Sequence, residues 1–233
     1  MSDRLTRIRG SIRLGSLAVI CLAVTACAHE SHRTLTPQAV ASHGMDYNGP
    51  RMIIVVGKFQ NRSGYMQGIF SDGQDRLGSQ AKTILKTHLQ QTSRFTLLDR
   101  DNMNEIAEEA KISGKQQSLI GAQLAITGDV TEFGRRTIGR KQLFGIAGSG
   151  KSQTAYAKVA LNVVDVVSSE VIYSAQGAGE YALSSQEVFG FGSKASYDAT
   201  LNGKVLNLAI IEVVNNLVRG MENGEWPIPP EGK

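Results

Sequence analysis

The middle of this chain, from Leu124 to about residue 196, has the spacing of β-strands and shows no helical period. Strict alternation of apolar and polar residues predicts strands that bury one face. This block of extended sequence fixes much of the fold, because the other elements have to pack around it. The clearest alternation lies in "TAYAKVALNVVDV", with apolar side chains at Ala155, Ala157, Val159, Leu161 and Val163.

Two hairpins are predicted within this block. We expect one at about 130–166, turning in the glycine-rich stretch 145–151, and a second at about 170–197, turning near Ser184 to Glu187. Glycine suits such turns because it adopts positive φ without steric cost. The return strand of the second hairpin would be "VFGFGSKAS".

The first of these turns contains "GIAGSGKS" (145–152), which matches the phosphate-binding pattern G-x-x-x-x-G-K-[ST]. That motif binds phosphate only where a buried strand leads into the loop and a helix begins at its Lys-Ser pair. After Lys151 the apolar residues recur at period two rather than 3.6. We therefore interpret the motif as a hairpin turn and expect no nucleotide hydrolysis.

The segment before the hairpins predicts an α/β unit. "MIIVVGKF" (52–59) is an apolar run of strand length, 75–91 has helical spacing, and "RFTLLDR" (94–100) is a second strand. A strand, helix and strand of this size favour a right-handed parallel crossover. The buried helix face would consist of Leu77, Ala81, Ile84, Leu85, His88 and Leu89.

Two further helices are predicted. Asp101 offers an N-cap for the first and Gly114 ends it, while the second is the long, mostly apolar segment 197–222. The fold class is therefore α+β, with an α/β-like mixed sheet, flanking helices and two long β-hairpins. The inward face of the first of these helices would be formed by Met103, Ile106, Ala107 and Ala110.

The N-terminus resembles a bacterial lipoprotein signal. Four arginines precede an apolar run of about thirteen residues, "LGSLAVICLAVTA", which is shorter than the about 20 residues of a lasting membrane helix. Small residues lead directly to Cys27, the residue that would be acylated and become the first of the mature chain. The alternative is an ordinary cleaved signal with an incidental cysteine. Ala28, rather than Asp, is compatible with export to the outer membrane.

The predicted organisation is a signal peptide at 1–26, a lipidated tether at 27–50, one domain at 51–226 and a tail at 227–233. Removing the signal takes away four arginines and one aspartate, which lowers the net charge from +4 to about +1. Nucleic-acid binding thereby loses its main support. With Cys21 also removed, no disulfide is expected.

We expect no catalysis, no cofactor and no metal site. Three histidines lie in the tether, where no scaffold would organise them around a metal: His29, His32 and His43. Four carboxylates could be proposed as acid/base catalysts, but helix capping and a solvated helix face explain them more simply: Asp99, Glu105, Glu108 and Glu109.

A set of segments in this order resembles the curli-secretion channel family (CsgG/HfaB) over essentially the whole mature chain. They are "VGKFQNRSG", "DRLGSQAKTIL", "SRFTLLDRDNMNEI", "LAITGDVTEFG", "LFGI", "YAKVALNVVDVVSSEVIYS" and "LNGKVLNLAIIEVVNNLV". The resemblance implies an outer-membrane lipoprotein whose periplasmic domain forms a homo-oligomeric ring. Each subunit would contribute two hairpins to one shared β-barrel that passes unfolded adhesin or amyloid subunits, with the help of accessory assembly proteins.

The resemblance also implies that the loop after the first strand forms the narrowest ring of the pore. Here that loop offers Tyr65 and Phe70 as constriction residues. Aromatic rings can hold an extended chain through apolar contacts without sequence specificity. The alternative is that both side chains pack beneath the loop.

Elementary physics is compatible with a shared barrel. A tilted membrane strand needs about 9–11 residues, and closure needs about eight strands, so four strands per chain require several copies. "RRTIGRKQ" (135–142) argues against insertion, because a lipid-facing Arg at mid-bilayer costs about 2–4 kcal/mol. Three alternatives to a channel remain: a soluble β-extension for subunit contacts, a non-conducting anchor for a surface adhesin or holdfast, and a periplasmic regulator of cell-wall synthesis.

Overall fold

The computed structural model describes residues 37–65, 73–141, 149–187 and 200–226. Within them five strands form one mixed sheet in the order β2-β1-β3-β4-β5, flanked by helices. Strand β1 is parallel to β2 and β3, whereas β3, β4 and β5 are antiparallel. This architecture confirms the α+β class. The elements are β1 (Met52–Asn61), α1 (Arg76–Gln91), β2 (Phe95–Leu98), α2 (Met103–Ile112), β3 (Leu124–Lys141), β4 (Ser149–Asp165), β5 (Val171–Glu187) and α3 (Thr200–Glu222).

Helix α1 forms where the sequence predicts it. The side chain of Asp75 caps its N-terminus by accepting a hydrogen bond from the backbone N–H of Gly78. Its apolar stripe packs on the sheet, as expected, and the pairing of β1 with β2 confirms that the crossover is parallel. The buried positions of the stripe are Leu77, Gly78, Ala81, Leu85, His88 and Leu89.

Helix α3 covers the same face of the sheet as α1. Its buried side chains include Val205, Ala209 and Val213, each with no exposed surface. It lies so close to β5 that an added Cβ at Gly179 would be 2.7 Å from the backbone N of Ala209. Glycine in β5 therefore sets how closely the long helix approaches the sheet.

Helix α2 differs from its prediction. None of its residues is fully buried: Met103, Ala107 and Ala110 are half-buried, as an inward face predicts, whereas Ile106 is 43% exposed, so the expectation for Ile106 was wrong. The N-cap is Asn102 rather than Asp101. Asp101 is engaged elsewhere, because its carboxylate binds the ammonium groups of Lys82 and Lys86. Gly114 follows the helix with φ of +68°, in line with the predicted end.

The compact unit begins at Gln38, earlier than the predicted domain start at residue 51. Val40 is buried, and the backbone N–H of Ala41 donates to the side chain of Asn215 on α3. The guanidinium of Arg94 lies 4.9 Å from the centre of the Tyr47 ring. The segment 38–50 is therefore docked on the domain, which shortens the proposed tether to about residues 27–37.

Candidate functional site: the hairpin sheet and its stem

The first predicted hairpin is present as β3 and β4, which pair from Leu124 with Asp165 out to Lys141 with Ser149. Strand β5 adds to the other side of β4 and reaches Glu187. Ser184 to Glu187 therefore lie in a strand rather than in the predicted turn. The return strand 188–196 falls outside the described residues.

The end of the "GIAGSGKS" segment belongs to strand β4. Lys151 pairs with Gly139, and Ser152 pairs with Ile138 across the hairpin. A phosphate-binding lysine would instead stand at the beginning of a helix. The expectation that no helix begins at Lys151 is confirmed, but residues 149–152 lie in a paired strand rather than in the predicted turn, and 145–148 lie outside the described part of the chain.

Beyond the end of β1, the strands continue as a separate ribbon, here called the hairpin sheet: residues 132–141, 149–158 and 178–187. Pairing between β1 and β3 ends at Asn61 and Val130. Further out, β3 has β4 as its only partner among the described strands, and β5 is the outermost of those strands. Both long edges of the hairpin sheet thus present open backbone N–H and C=O groups in the described part of the chain.

A β-bulge marks the base of the hairpin sheet. Val130 pairs with Val159 and Glu132 with Lys158, so Thr131 is an extra residue in β3. Because side chains alternate along a strand, one extra residue moves all later positions to the other face. The bulge brings Phe133 and Arg135 to the face that α3 covers. Without it, Glu132 and Gly134 would lie there.

Four side chains meet just past the bulge, and we call them the stem cluster: Tyr65, Phe133, Arg135 and Asn202. The rings of Tyr65 and Phe133 are 4.6 Å apart between centroids. The Asn202 amide nitrogen donates to the Tyr65 hydroxyl at 3.2 Å, and Nε of Arg135 donates to the Asn202 amide oxygen at 2.8 Å. The cluster links the hairpin, the first turn of α3 and the chain leaving β1.

The chain leaving β1 is itself held by local hydrogen bonds. The side-chain amide of Asn61 donates to the carbonyl of Tyr65 at 2.8 Å and accepts from the hydroxyl of Ser63. The backbone N–H of Asn61 donates to the carboxylate of Asp75, the α1 cap, at 2.7 Å. Tyr65 therefore sits on a braced turn between β1 and α1.

The residues predicted for constriction and anchoring have different outcomes. Tyr65 is half-buried against Phe133, which is the arrangement described by the packing alternative. Its role at a constriction stays a prediction, and Phe70 and Cys27 lie outside the described residues. Sequence reasoning missed Asn202 and the role of Arg135, because no pattern in the sequence reveals the bulge that turns Arg135 toward α3.

A second polar group lies at the end of β2. The Asn102 amide, the Lys86 ammonium and the backbone N–H of Asp101 hold the pKa of Asp99 down, at about 2. The pKa of Lys86 is raised, because the two carboxylates outweigh the effect of its burial. These contacts join α1 to the turn before α2. Asp99 is therefore tied into a cluster of ion pairs and hydrogen bonds, and it is not the helix cap that the sequence suggested.

In the described residues, no three His, Cys, Asp or Glu side chains lie close enough together to hold a metal ion. Nor does any helix there have both the length and the apolar character needed to cross a membrane.

Several known proteins are similar to this chain. A protein from Neisseria meningitidis serogroup B, whose name describes it as a lipoprotein, is 61% identical over 210 residues. The match covers 90% of this chain and 94% of that protein. Among solved structures, the PelC dodecamer from Paraburkholderia phytofirmans is 16% identical and covers 78% of this chain and 95% of its own, with a TM-score of 0.32. The lipoprotein GNA1162 of Neisseria meningitidis is 11% identical, covers 74% and 99%, and has a TM-score of 0.35. Structural likenesses this distant carry no argument about function.

The sequence profile described as "Curli production assembly/transport component CsgG" matches residues 43–232. That span includes every helix and strand of the described structure. The chain therefore belongs to the CsgG family.

Proposed function

We propose that this protein is a subunit of an outer-membrane protein-export channel of the curli-secretion type. An acyl group on Cys27 would anchor it, its main domain would lie in the periplasm, and transport would need no nucleotide hydrolysis. Membership of the CsgG family supports the channel. The assignment of a 61% identical relative as a lipoprotein supports the anchor.

The observation that carries this proposal is the length of the hairpin sheet, together with the edges that its described strands leave open. Its strands extend past the stem, to Lys141 in β3, Ser149 in β4 and Glu187 in β5, and the outer part beyond Arg136 contributes to the about 9–11 residues that a tilted strand needs to cross a bilayer. An open strand edge in lipid leaves backbone groups unsatisfied at several kcal/mol each. The hairpin sheet can enter a membrane only where neighbouring copies complete it, so the channel is a homo-oligomeric ring.

The arginines at the base of the hairpin sheet fit this proposal better than the sequence alone indicates. Arg135 donates to Asn202 on α3, so its guanidinium belongs to the domain side of the sheet. Arg136, the next residue, is exposed. Both are then at the level of the membrane interface, where an arginine can extend its charge into water. The cost of about 2–4 kcal/mol for an arginine at mid-bilayer does not apply to them.

The cargo would be unfolded adhesin or amyloid-forming subunits, with accessory assembly proteins acting at the ring. Such a chain passes through a pore in extended form, so the channel requires only a water-filled interior. No nucleic acid takes part in this process.

Single-channel recording in planar bilayers tests the proposal. The acylated, detergent-extracted protein should give discrete conductance steps, and particle images should show rings with a central hole. Cys27→Ser is the matched control: it removes the acyl group but leaves the hairpins, so refolded protein should still conduct. A silent bilayer together with monomeric protein would contradict the channel and favour a non-conducting anchor or a regulatory lipoprotein.

A further inference from the structure

The stem cluster lies where the hairpin sheet leaves the domain. From Arg135 to Lys141, β3 extends for about 20 Å at about 3.3 Å per residue. A tilt of about 10° at the stem would move the far end by about 3–4 Å, which approaches the spacing of about 4.8 Å between paired strands. Pairing with a neighbouring copy therefore requires the orientation of the stem to be fixed.

Asn202 is the residue on which the two hydrogen bonds of the stem cluster converge. Its amide group is used in both directions: the nitrogen donates to Tyr65, and the oxygen accepts from Arg135. An amide carries a donor and an acceptor on one rigid group, which a hydroxyl or an apolar side chain of this size cannot supply in the same geometry. Asn202 thus ties two segments to the first turn of α3.

We infer that Asn202 is a positioning residue for the hairpin sheet, and that through it the stem and the segment after β1 move as one body with α3. The role in ring assembly rests on the proposed function. The mechanical link does not, because it concerns contacts within one chain. Tyr65 is then the far end of this link, which gives it a function other than lining a constriction.

Hydrogen exchange on the full-length acylated protein in detergent, followed by mass spectrometry, tests the link. Asn202→Leu should raise exchange at least threefold both in residues 61–65 and in residues 132–136. Arg135→Met should raise exchange in 61–65 as well, since it releases Asn202. The double variant should show no more exchange there than Asn202→Leu alone, because residues acting through one network are not additive.

Asn216→Leu is the matched control. Asn216 also lies on α3 and also uses its side-chain amide, donating to the carbonyl of Gln176 on β5. This substitution should leave exchange in 61–65 and 132–136 unchanged. The inference is overturned if Arg135→Met leaves 61–65 unaltered, if the two substitutions act independently, or if the control behaves like Asn202→Leu.

Ring assembly separates the inference from the proposed function. With Asn202→Leu, the fraction of protein in rings should fall at least tenfold, while its thermal unfolding midpoint stays close to that of the wild type. Rings that form equally well in this variant would overturn the positioning role. If the wild-type protein formed no rings, the proposed function would be contradicted. The hydrogen-exchange experiment would still decide whether the mechanical link through Asn202 exists.

Discussion

Asp99 shows how a carboxylate suggestive of catalysis can be structural. It follows β2 and accepts hydrogen bonds from Asn102, Lys86 and the backbone N–H of Asp101. Each of these donors favours the ionised form, so the pKa falls to about 2. A catalytic acid or base working near neutral pH needs the opposite shift. Lys86 and Lys82 on α1 complete the cluster.

The lowered pKa of Asp99 predicts a pH dependence of stability. Its ordinary value of 3.8 applies to the unfolded chain, so its contribution is fully present above about pH 4 and is lost as the pH falls toward 2. Asp99→Asn should therefore be less stable than the wild type at pH 5, and the difference should shrink between pH 4 and pH 2. Urea unfolding followed by circular dichroism measures this.

Glu108→Gln is the control for that measurement. Glu108 is exposed on α2, so the free energy of unfolding of this variant should change with pH in parallel with that of the wild type. If the free energies of unfolding of the wild type and of Asp99→Asn fell in parallel from pH 5 to pH 2, Asp99 would not be the cause of the pH dependence.

At the scale of elements, the contact between α3 and β5 depends on glycine. An added Cβ at Gly177 would overlap the backbone of Val213 and Ala209, and one at Gly179 would be 2.8 Å from the carbonyl of Val205. Backbone atoms of a packed helix cannot move aside as a flexible side chain can. The two glycines thus allow α3 to seal the sheet without a gap.

Gly177→Ala should therefore destabilise the domain by about 1–3 kcal/mol, the usual cost of overpacking a core. Gly121 offers a control, since an added Cβ there meets no atom within 4 Å. Gly121→Ala should change the free energy of unfolding by less than about 0.5 kcal/mol. Equal effects of the two substitutions, measured by urea unfolding, would show that α3 shifts freely on the sheet.

The elements that sequence periodicity predicts well are those with one covered face. The spacing of Leu77, Ala81 and Leu85 predicts α1, and the alternation from Ala155 to Val163 predicts β4, because burial imposes the period. The helical spacing of α2 also predicted a helix, but Ile106 on its apolar face is 43% exposed and Met103, Ala107 and Ala110 are only half-buried. Spacing reveals an apolar face but does not reveal how fully that face is covered.

The stem cluster could not be predicted from the sequence. An alternating pattern gives the two faces of a strand, and one bulge residue, Thr131, exchanges them. Contacts such as that of Arg135 with Asn202, far apart in the chain, depend on that exchange. The docking of Val40 on the domain is likewise a tertiary contact of a polar, proline-containing segment with no period of its own.

At the scale of the whole molecule, a substitution at Lys151 distinguishes an export channel from an ATPase. Lys151 lies in β4 opposite Gly139, so Lys151→Ala changes one residue of the hairpin sheet and no helix start. We expect this variant to form rings and to conduct as the wild type does in planar bilayers, with or without nucleotide. If Lys151→Ala lost conductance and only restoring the lysine recovered it, the nucleotide hypothesis would have to be considered again.

Shortening the hairpin tests whether the hairpin sheet makes the pore. Arg136 pairs with Thr154, so residues 137–153 can be replaced by Asn-Gly, the pair that closes a two-residue hairpin turn. The pairs nearer the domain, such as Phe133 with Ala157, are retained. The thermal unfolding midpoint should stay within about 5 °C of the wild type, since the helix-covered core keeps its contacts.

The same shortened protein should neither form rings nor conduct. Its hairpin would end before the about 9–11 residues needed to cross a bilayer, and β5 beyond Ala182 would lose its partner strand. Lys151→Ala, which keeps the full length, is the control for handling and refolding. If the shortened protein still gave discrete conductance steps, the pore would have to be built from another part of the chain, and the hairpin sheet would be a contact surface outside the membrane.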